Sequence, residues 1–488
     1  MLIEIENIIN IFNISPLGVI HVGAHHGQEY KIYEKLNIKN IVMFEPSLKN
    51  FNILKENLKN KNVELVNSGL SSKNECIEMH IESMNEGQSN SVLKPKLHVS
   101  QYPHIKFENK EVIKLITLDD WMNQNPSFAE SNIMSVDVQG YELEVFLGAK
   151  NTLKNIDLII CEVNRAELYE NCAYVTEIDI FLKYHNFRRV ATNWAGNTWG
   201  DAVYIKEDII SKSNQVVNSI NLIDNNFKHS KNILGFDSAC LLPTARLNWN
   251  REGNGNSNFA ILTDECLSQK TTLPKVAWIL EPKVLSNAAY QYVEQNENNF
   301  QKIISHDIDF LSKIKNGIYA PYGGSWISPN EWNNDFKKSK NVSIIASKKN
   351  ITFGHKLRHK AAKLLNPEDR FGEAYNPVSN KIDALSDYRF SIVVENSDAN
   401  GYFSEKLIDC LICKTIPIYW GSKNIFNFFE KDGILFFEND MDLESMLNSI
   451  DFESFYNDKL KFVEINAKRA RRFSSVDENL FSSILGIY

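Results

Sequence analysis

At 488 residues, 43% of them hydrophobic and 11% aromatic, the chain has the length of about three domains and apolar mass to fill their cores, which excludes disorder as its default state. Its formal net charge is −8, with basic residues interspersed among acidic ones, which excludes the basic footprint of a nucleic-acid-binding protein. Seven scattered cysteines, odd in number, fit a reducing cytosol rather than a disulfide framework.

Residues 1–9 carry acids inside an apolar run and have no basic flank, unlike a signal peptide, and no stretch reaches the ~18 apolar residues of a membrane span. A cytoplasmic location is therefore expected. Over residues 1–208, apolar runs at 19–22, 40–44, 63–66, 133–136 and 158–161 read as strands, and 28–36 and 48–58 as helices. Such alternation predicts a parallel sheet covered on both faces, here closed by a last strand at 199–205. Residues 209–231, rich in Asn and Ser, read as a linker or frayed helix. A second alternating region, 232–340, begins in earnest at Phe236, with buried strands at 259–262 and 276–280 and a loop at 317–324. The third, 341–488, opens on a strand at 342–346 and ends in helices. Within it a buried strand from Tyr388 stops at a polar loop, a helix opens with Glu405 and Lys406, and a second strand ends in Gly421-Ser422. Two strands stopping at polar loops on one sheet edge predict a nucleotide crevice. Cys410 and Cys413, inside the apolar helix, read as buried core thiols, and the basic run 468–472 as a solvated helix face.

The first chemical feature is a strand that runs into Gly23-x-x-x-Gly27 and then a helix. Glycines let backbone approach a ligand closely, and a helix start favours an anionic group. Glu45 closes the next strand, about 20 residues on, where a ribose diol would be held. Asn67 and Ser68 close the third strand and Asp137 the fourth, and all three are candidate cofactor-binding residues. Asp137 is a candidate either for deprotonating or orienting an acceptor hydroxyl or for binding cofactor alone. His25 and His26 are expected to point apart, with no acid–His spacing beside them, so no metal site is predicted.

These stretches resemble the FkbM-type methyltransferases: V-G-A-x-x-G at 22–27, F-E-P at 44–46, T-L-D-D-W at 117–121 and D-V-x-G-Y-E-x-E-V at 137–145, with Cys161-Glu162-Val163 and Gly200-Asp201. The resemblance implies S-adenosylmethionine as cofactor and O-methylation, commonly of a sugar or polyketide hydroxyl. Gly23, Ala24 and Gly27 would line the methionine end and Glu45 would bind the ribose. Ser135 stands where the family has lysine, and Gln139 where it has a second acid.

Sugar transfer from a nucleotide sugar needs cations for the leaving diphosphate and a base for the acceptor hydroxyl. Lys406 and Arg358, each placed at a helix start beside a strand end, supply cations, and Glu405 an acid for a ribose or sugar hydroxyl. V-E-N-S at 394–397, F-S-E-K-L-I-D-C at 403–410 and I-P-I-Y-W-G-S at 416–422 closely resemble glycosyltransferase family 10, the α-1,3/4-fucosyltransferases. The resemblance implies two Rossmann-like domains in a GT-B arrangement, GDP-fucose as donor and inversion at the anomeric carbon. Arg358 and Lys406 would bind the diphosphate and Glu405 the ribose, while Glu395, Asn396 and Tyr402 would line the donor pocket. Glu281, after the strand 276–280, would be the general base. The donor strands end without a D-x-D, so no tightly bound metal is expected.

The expectation is an α/β chain of three Rossmann-like domains: a methyltransferase followed by a GT-B module that takes a nucleotide sugar and a glycan or glycolipid acceptor. The rival expectation changes the nucleotide sugar and makes the methyltransferase-like half a non-catalytic binding or scaffolding module.

Overall fold

The strand Gly18–Val22 is buried along its whole length, as a strand covered on both faces must be. It is β1 of a computed structural model that describes residues 2–213, 219–225, 248–477, 479 and 480. The chain divides into two compact units, residues 1–216 and 217–487.

In the first unit, β2 (Asn40–Phe44), β3 (Glu64–Val66), β7 (Ile133–Val136) and β8 (Leu158–Asn164) run parallel to β1. The hairpin β9 (Phe187–Ala195) and β10 (Trp199–Lys206) completes a seven-stranded sheet in the order β3-β2-β1-β7-β8-β10-β9, with β10 antiparallel to both neighbours. Strand order reverses between β1 and β7, so a crevice opens at their carboxyl ends. A smaller sheet of β4 (Gly69–Leu70), β5 (Glu75–Glu82) and β6 (Phe107–Ile116) stands beside it, with its own core of Met79, Ile113 and Leu115.

The second unit holds two all-parallel sheets. One has the order β12-β11-β13-β14-β15-β16, from β11 (Ser219–Ile223), β12 (Asn248–Asn250), β13 (Ala260–Thr263), β14 (Lys275–Ile279), β15 (Phe300–Ser305) and β16 (Gly317–Tyr319). The other has the order β18-β17-β19-β20-β21, from β17 (Lys340–Ile345), β18 (Arg370–Phe371), β19 (Tyr388–Val394), β20 (Ile416–Trp420) and β21 (Leu435–Phe436). Each sheet has its own core: Ile344, Phe390 and Ile418 in one, Leu262, Ala277 and Ile303 in the other. Each fully buried large side chain of this kind contributes about 1.5–3 kcal/mol. Two Rossmann-like sheets in one unit are the GT-B arrangement.

Four local expectations need correction. Residues 219–223, read as linker, are the strand β11, because Ile220 and Leu222 are buried and the buried Asn221 is satisfied by Ser257 and Gly255. Residues 317–319, read as loop, pair with β15 as β16. Of the basic run, Arg471 turns inward and donates to the Trp332 carbonyl, so the run is not one solvated face. Arg358 lies in the second turn of the helix Phe353–Lys363 rather than at its start. The expected restart at Phe236 lies outside the described residues.

Two candidate active sites

A cavity of about 740 Å³ lies at the carboxyl end of the first unit's sheet, lined by Gly23 after β1, Glu45 after β2, Asp137 after β7 and Glu162 in β8. Gly23 has φ +83°, and a Cβ there would stand 1.8 Å from the Asp137 carbonyl oxygen, so any side chain would fill the crevice. The buried Glu45 carboxylate accepts from the backbone N–H groups of His25 and Ser47, both at 2.9 Å. Burial pushes it up to about 7.

Asp137 is surrounded by protein but opens onto the cavity; desolvation pushes it up to about 6, against the hydrogen bond that Gln139 Nε2 donates at 2.7 Å. The same amide group donates to Glu162 at 3.1 Å, and the Gln139 oxygen accepts from the Tyr169 hydroxyl at 2.9 Å. Gln139 thus bridges two carboxylates where a third acid would repel both. Glu162 is held well above the carboxylate range by burial and by Asp137, and burial also raises Asp201. Glu142 accepts from the Val138 and Gly140 N–H groups under the same turn, and burial raises it to about 7. Among the described residues lining this cavity are the acids Glu29, Glu45, Asp137, Glu162 and Asp201, and neither lysine nor arginine.

Several expected contacts fall elsewhere. Ala24 is buried, and Gly27 abuts Leu54; neither lines the cavity. Asn67 donates to the carbonyls of Glu45 and Pro46, and the Ser68 N–H to Val66, so both brace the turn that presents Glu45. The rings of His25 and His26 stack face to face with centroids 3.7 Å apart instead of pointing apart. Glu29, Glu162 and Asp201 escaped selection as site residues because sequence gives no sign that an acid before a helix and acids on two strands converge.

The second unit carries a cavity of about 690 Å³ lined from both of its sheets: Glu281 follows β14, Asn396 follows β19, and Arg358, Tyr402, Glu405 and Lys406 come from the facing helices and loops. Gly354 lets the Arg358 helix press on the loop after β19, since a Cβ there would lie 2.0 Å from the Glu395 carbonyl oxygen. Arg358 is buried and donates through Nη2 to the Val394 carbonyl at 2.6 Å and to Asn396 Oδ1 at 3.2 Å, while its buried Nε has no hydrogen-bond partner among the described residues. A buried, unused guanidinium donor at a cavity wall suits an anionic ligand.

Lys406 Nζ lies 2.9 Å from Ser404 Oγ, 3.4 Å from Glu405 and 3.6 Å from Glu395. Burial would raise Glu405, but Lys406 and Lys381 together bring it down to about 2. Lys381 and Lys349 are cations that sequence reasoning missed; Lys381 Nζ is 2.9 Å from Asp409 and 3.7 Å from Glu405, and both lysines line the cavity with His355. His355 is lowered to about 4 by burial and by Arg358, Lys349 and Lys406, and is neutral at pH 7. Glu281 is raised by burial, partly offset by Lys406.

Glu395 does not line this cavity. Fully buried, it accepts from the Ser404 N–H at 2.9 Å and the Ser404 hydroxyl at 2.6 Å, and Ser404 in turn caps the helix Glu405–Ile412. Its role is to seat that helix. Tyr402 lines the cavity with its ring 4.7 Å from that of His306.

Residues 21–189 match the family model of the methyltransferase FkbM domain, and residues 336–457 that of the glycosyltransferase family 10 (fucosyltransferase) C-terminal domain. One stretch of the chain is thus similar to FkbM-type methyltransferases and another to family 10 glycosyltransferases. It is 28% identical over 160 residues to the 2-O-methyltransferase NoeI of Sinorhizobium fredii, a match that takes in 31% of this chain and 65% of that protein. Against the alpha-(1,3)-fucosyltransferase FucT of Helicobacter pylori it is 38% identical over 81 residues, 17% of this chain and 14% of the relative. The chain therefore spans less than two thirds of either relative. A crystal structure of an alpha1,3-fucosyltransferase with GDP aligns at 17% identity and a TM-score of 0.35, over 55% of this chain and 90% of that one. Among the described residues no helix is long and apolar enough to cross a membrane, and no group of three or more His, Cys, Asp and Glu side chains is placed to hold a metal ion.

Proposed function

We propose that the chain is a bifunctional glycan-modifying transferase. The second unit transfers fucose from GDP-fucose to a glycan acceptor with inversion, and the first O-methylates a sugar hydroxyl with S-adenosylmethionine. The observation that carries the reading is the contrast in charge between the cavities. One gathers Arg358, Lys406, Lys381 and Lys349 at strand ends, and the other gathers five acids without a lysine or arginine. The first suits a leaving diphosphate, the second a cationic sulfonium and amino group.

In the fucosyl transfer Glu281 takes the acceptor hydroxyl proton as the acceptor oxygen bonds to the anomeric carbon. The anomeric carbon–phosphate oxygen bond breaks on the opposite face, and GDP leaves against Arg358 and Lys406. The raised affinity of Glu281 for protons makes it a stronger base than an exposed glutamate, and Tyr402 and Asn396 position the donor. Glu405, ionised throughout, accepts from a ribose hydroxyl.

In the first unit Gly23 and Glu45 fit the cofactor: the glycine leaves backbone exposed to it, and the carboxylate is aimed by two N–H groups at the ribose position. Bound S-adenosylmethionine supplies an electrophilic methyl group. Asp137, steadied by Gln139, orients the acceptor hydroxyl and receives its proton. Fusion in one chain motivates action on one glycan, and the scattered cysteines motivate a cytoplasmic site of action.

GDP release from GDP-fucose without acceptor tests the fucosyl reading. Release by the wild type and its loss in Lys406→Ala are expected; release only from another nucleotide sugar, or unchanged in the variant, contradicts it.

A further inference from the structure

One stretch of the first unit's cavity wall is rich in rings. It is made by His98, Tyr102, His104 and Ile105, on and after the helix Leu97–Gln101, together with Leu168 and Trp199. Trp199 Nε1 donates to the Tyr102 hydroxyl at 2.9 Å, which fixes the two half-buried aromatic side chains together at the wall. His98 is 4% exposed, and its Nδ1 is buried without a hydrogen-bond partner among the described residues. Its ring packs at 5.0 Å from Tyr102 and 5.4 Å from Tyr169. Tyr169 in turn donates to Gln139, which holds Asp137, so this wall is tied to the carboxylate that opens onto the cavity.

We infer that this stretch of wall is the acceptor subsite, and that it selects an uncharged pyranose. The inference rests on the methyltransferase reading above and names its substrate class. A pyranose presents one face of C–H bonds and a rim of hydroxyls. Tyr102 and Trp199 offer amphipathic ring surface for the face, and His98 an imidazole for the rim, neutral because burial lowers its basicity. Gln88, Ser89 and Asn90 add neutral polar groups along the same cavity. Five acids line the cavity, and among the described residues no lysine or arginine in its lining offers an anionic acceptor a counter-charge. A uronate or a sugar phosphate would lose its hydration and meet like charge, so exclusion of anions is built into the wall.

The test is calorimetry and saturation-transfer NMR on the full chain held saturated with S-adenosylhomocysteine at about pH 8, above the values of about 7 and about 6 to which Glu45 and Asp137 are raised. The probes are methyl α-L-fucopyranoside, methyl α-D-glucopyranoside, methyl α-D-glucuronide and glucose 1-phosphate. Neutral glycosides are expected to bind at least about tenfold more tightly than the two anions, and Trp199→Leu and His98→Asn to weaken them by about tenfold or more while S-adenosylhomocysteine affinity stays at the wild-type value. Retained cofactor-product affinity shows that each variant is folded. Anions binding as well as neutral sugars, or variants without effect, would overturn the subsite and leave the methyltransferase reading standing. Failure of the wild type to bind S-adenosylhomocysteine would overturn that reading and the subsite with it.

Discussion

Single side chains set the chemistry of both cavities. Lys406 is the only described lysine within 4 Å of both Glu395 and Glu405, and its ammonium is where the leaving diphosphate is expected to be held. Lys406→Ala should lower GDP-fucose turnover about a hundredfold, the scale of removing one electrostatic stabiliser, read as a fall in kcat/KM. Gln139 makes the opposite kind of contribution, a neutral amide between two carboxylates. Gln139→Glu should destabilise the first unit by about 1–3 kcal/mol at neutral pH, with little effect near pH 5, where the added carboxyl and its neighbours hold protons. Thermal melts at the two pH values measure this. Gln139 stands out in the sequence as a departure from the family pattern, but the spacing of residues 137–139 carries no sign that its amide reaches Glu162, a strand away. Lys381 was unreadable for the same reason, since its partners Glu405 and Asp409 lie 24 and 28 residues on.

Elements carry these side chains to their places, and here sequence and structure part in an instructive way. Strand ends were legible because a buried apolar run that stops at Glu45, Asp137 or Asn396 announces its own terminus. The direction of a side chain beyond a strand end was not. Glu395 and Asn396 are adjacent, yet one turns under the helix Glu405–Ile412 and the other faces the cavity. β11 was missed because its Ser219-Ile-Asn-Leu-Ile223 run, inside a polar stretch, is short and lacks turn signals. Ser404→Ala should cost about 1 kcal/mol through the lost cap of the Glu405–Ile412 helix, read by chemical denaturation, and should also weaken GDP binding because Lys406 Nζ loses its contact at 2.9 Å. An unchanged denaturation midpoint would mean that Glu395 and Ser404 do not hold the helix.

At the scale of the molecule, the two units differ in what pH does to them. Burial raises Glu45 to about 7, Asp137 to about 6 and Glu142 to about 7, all above their values in an unfolded chain. The folded first unit therefore holds protons that the unfolded chain has released. The stabilisation is fully present below about pH 4 and is lost as pH rises through about 7. Without ligand, its melting temperature should fall between about pH 5 and 8, and S-adenosylmethionine should raise it by a margin that grows with pH, because the cation relieves carboxylates that are then charged. A ligand-induced shift that shrinks with rising pH would contradict this. The division into a methyltransferase-like half and a two-sheet half was legible from strand–helix alternation and motif blocks, each a local property of the chain. The convergence of acids in one cavity and cations in the other depends on contacts across strands and was visible only in three dimensions.

The most direct test is a calorimetric titration of one sample of the full chain with S-adenosylhomocysteine and then with GDP, repeated in the reverse order. Two independent sites, each with a stoichiometry of about one and neither displacing the other, are expected of a chain with two transferase sites. Displacement of one ligand by the other, or no heat with either one, would contradict it.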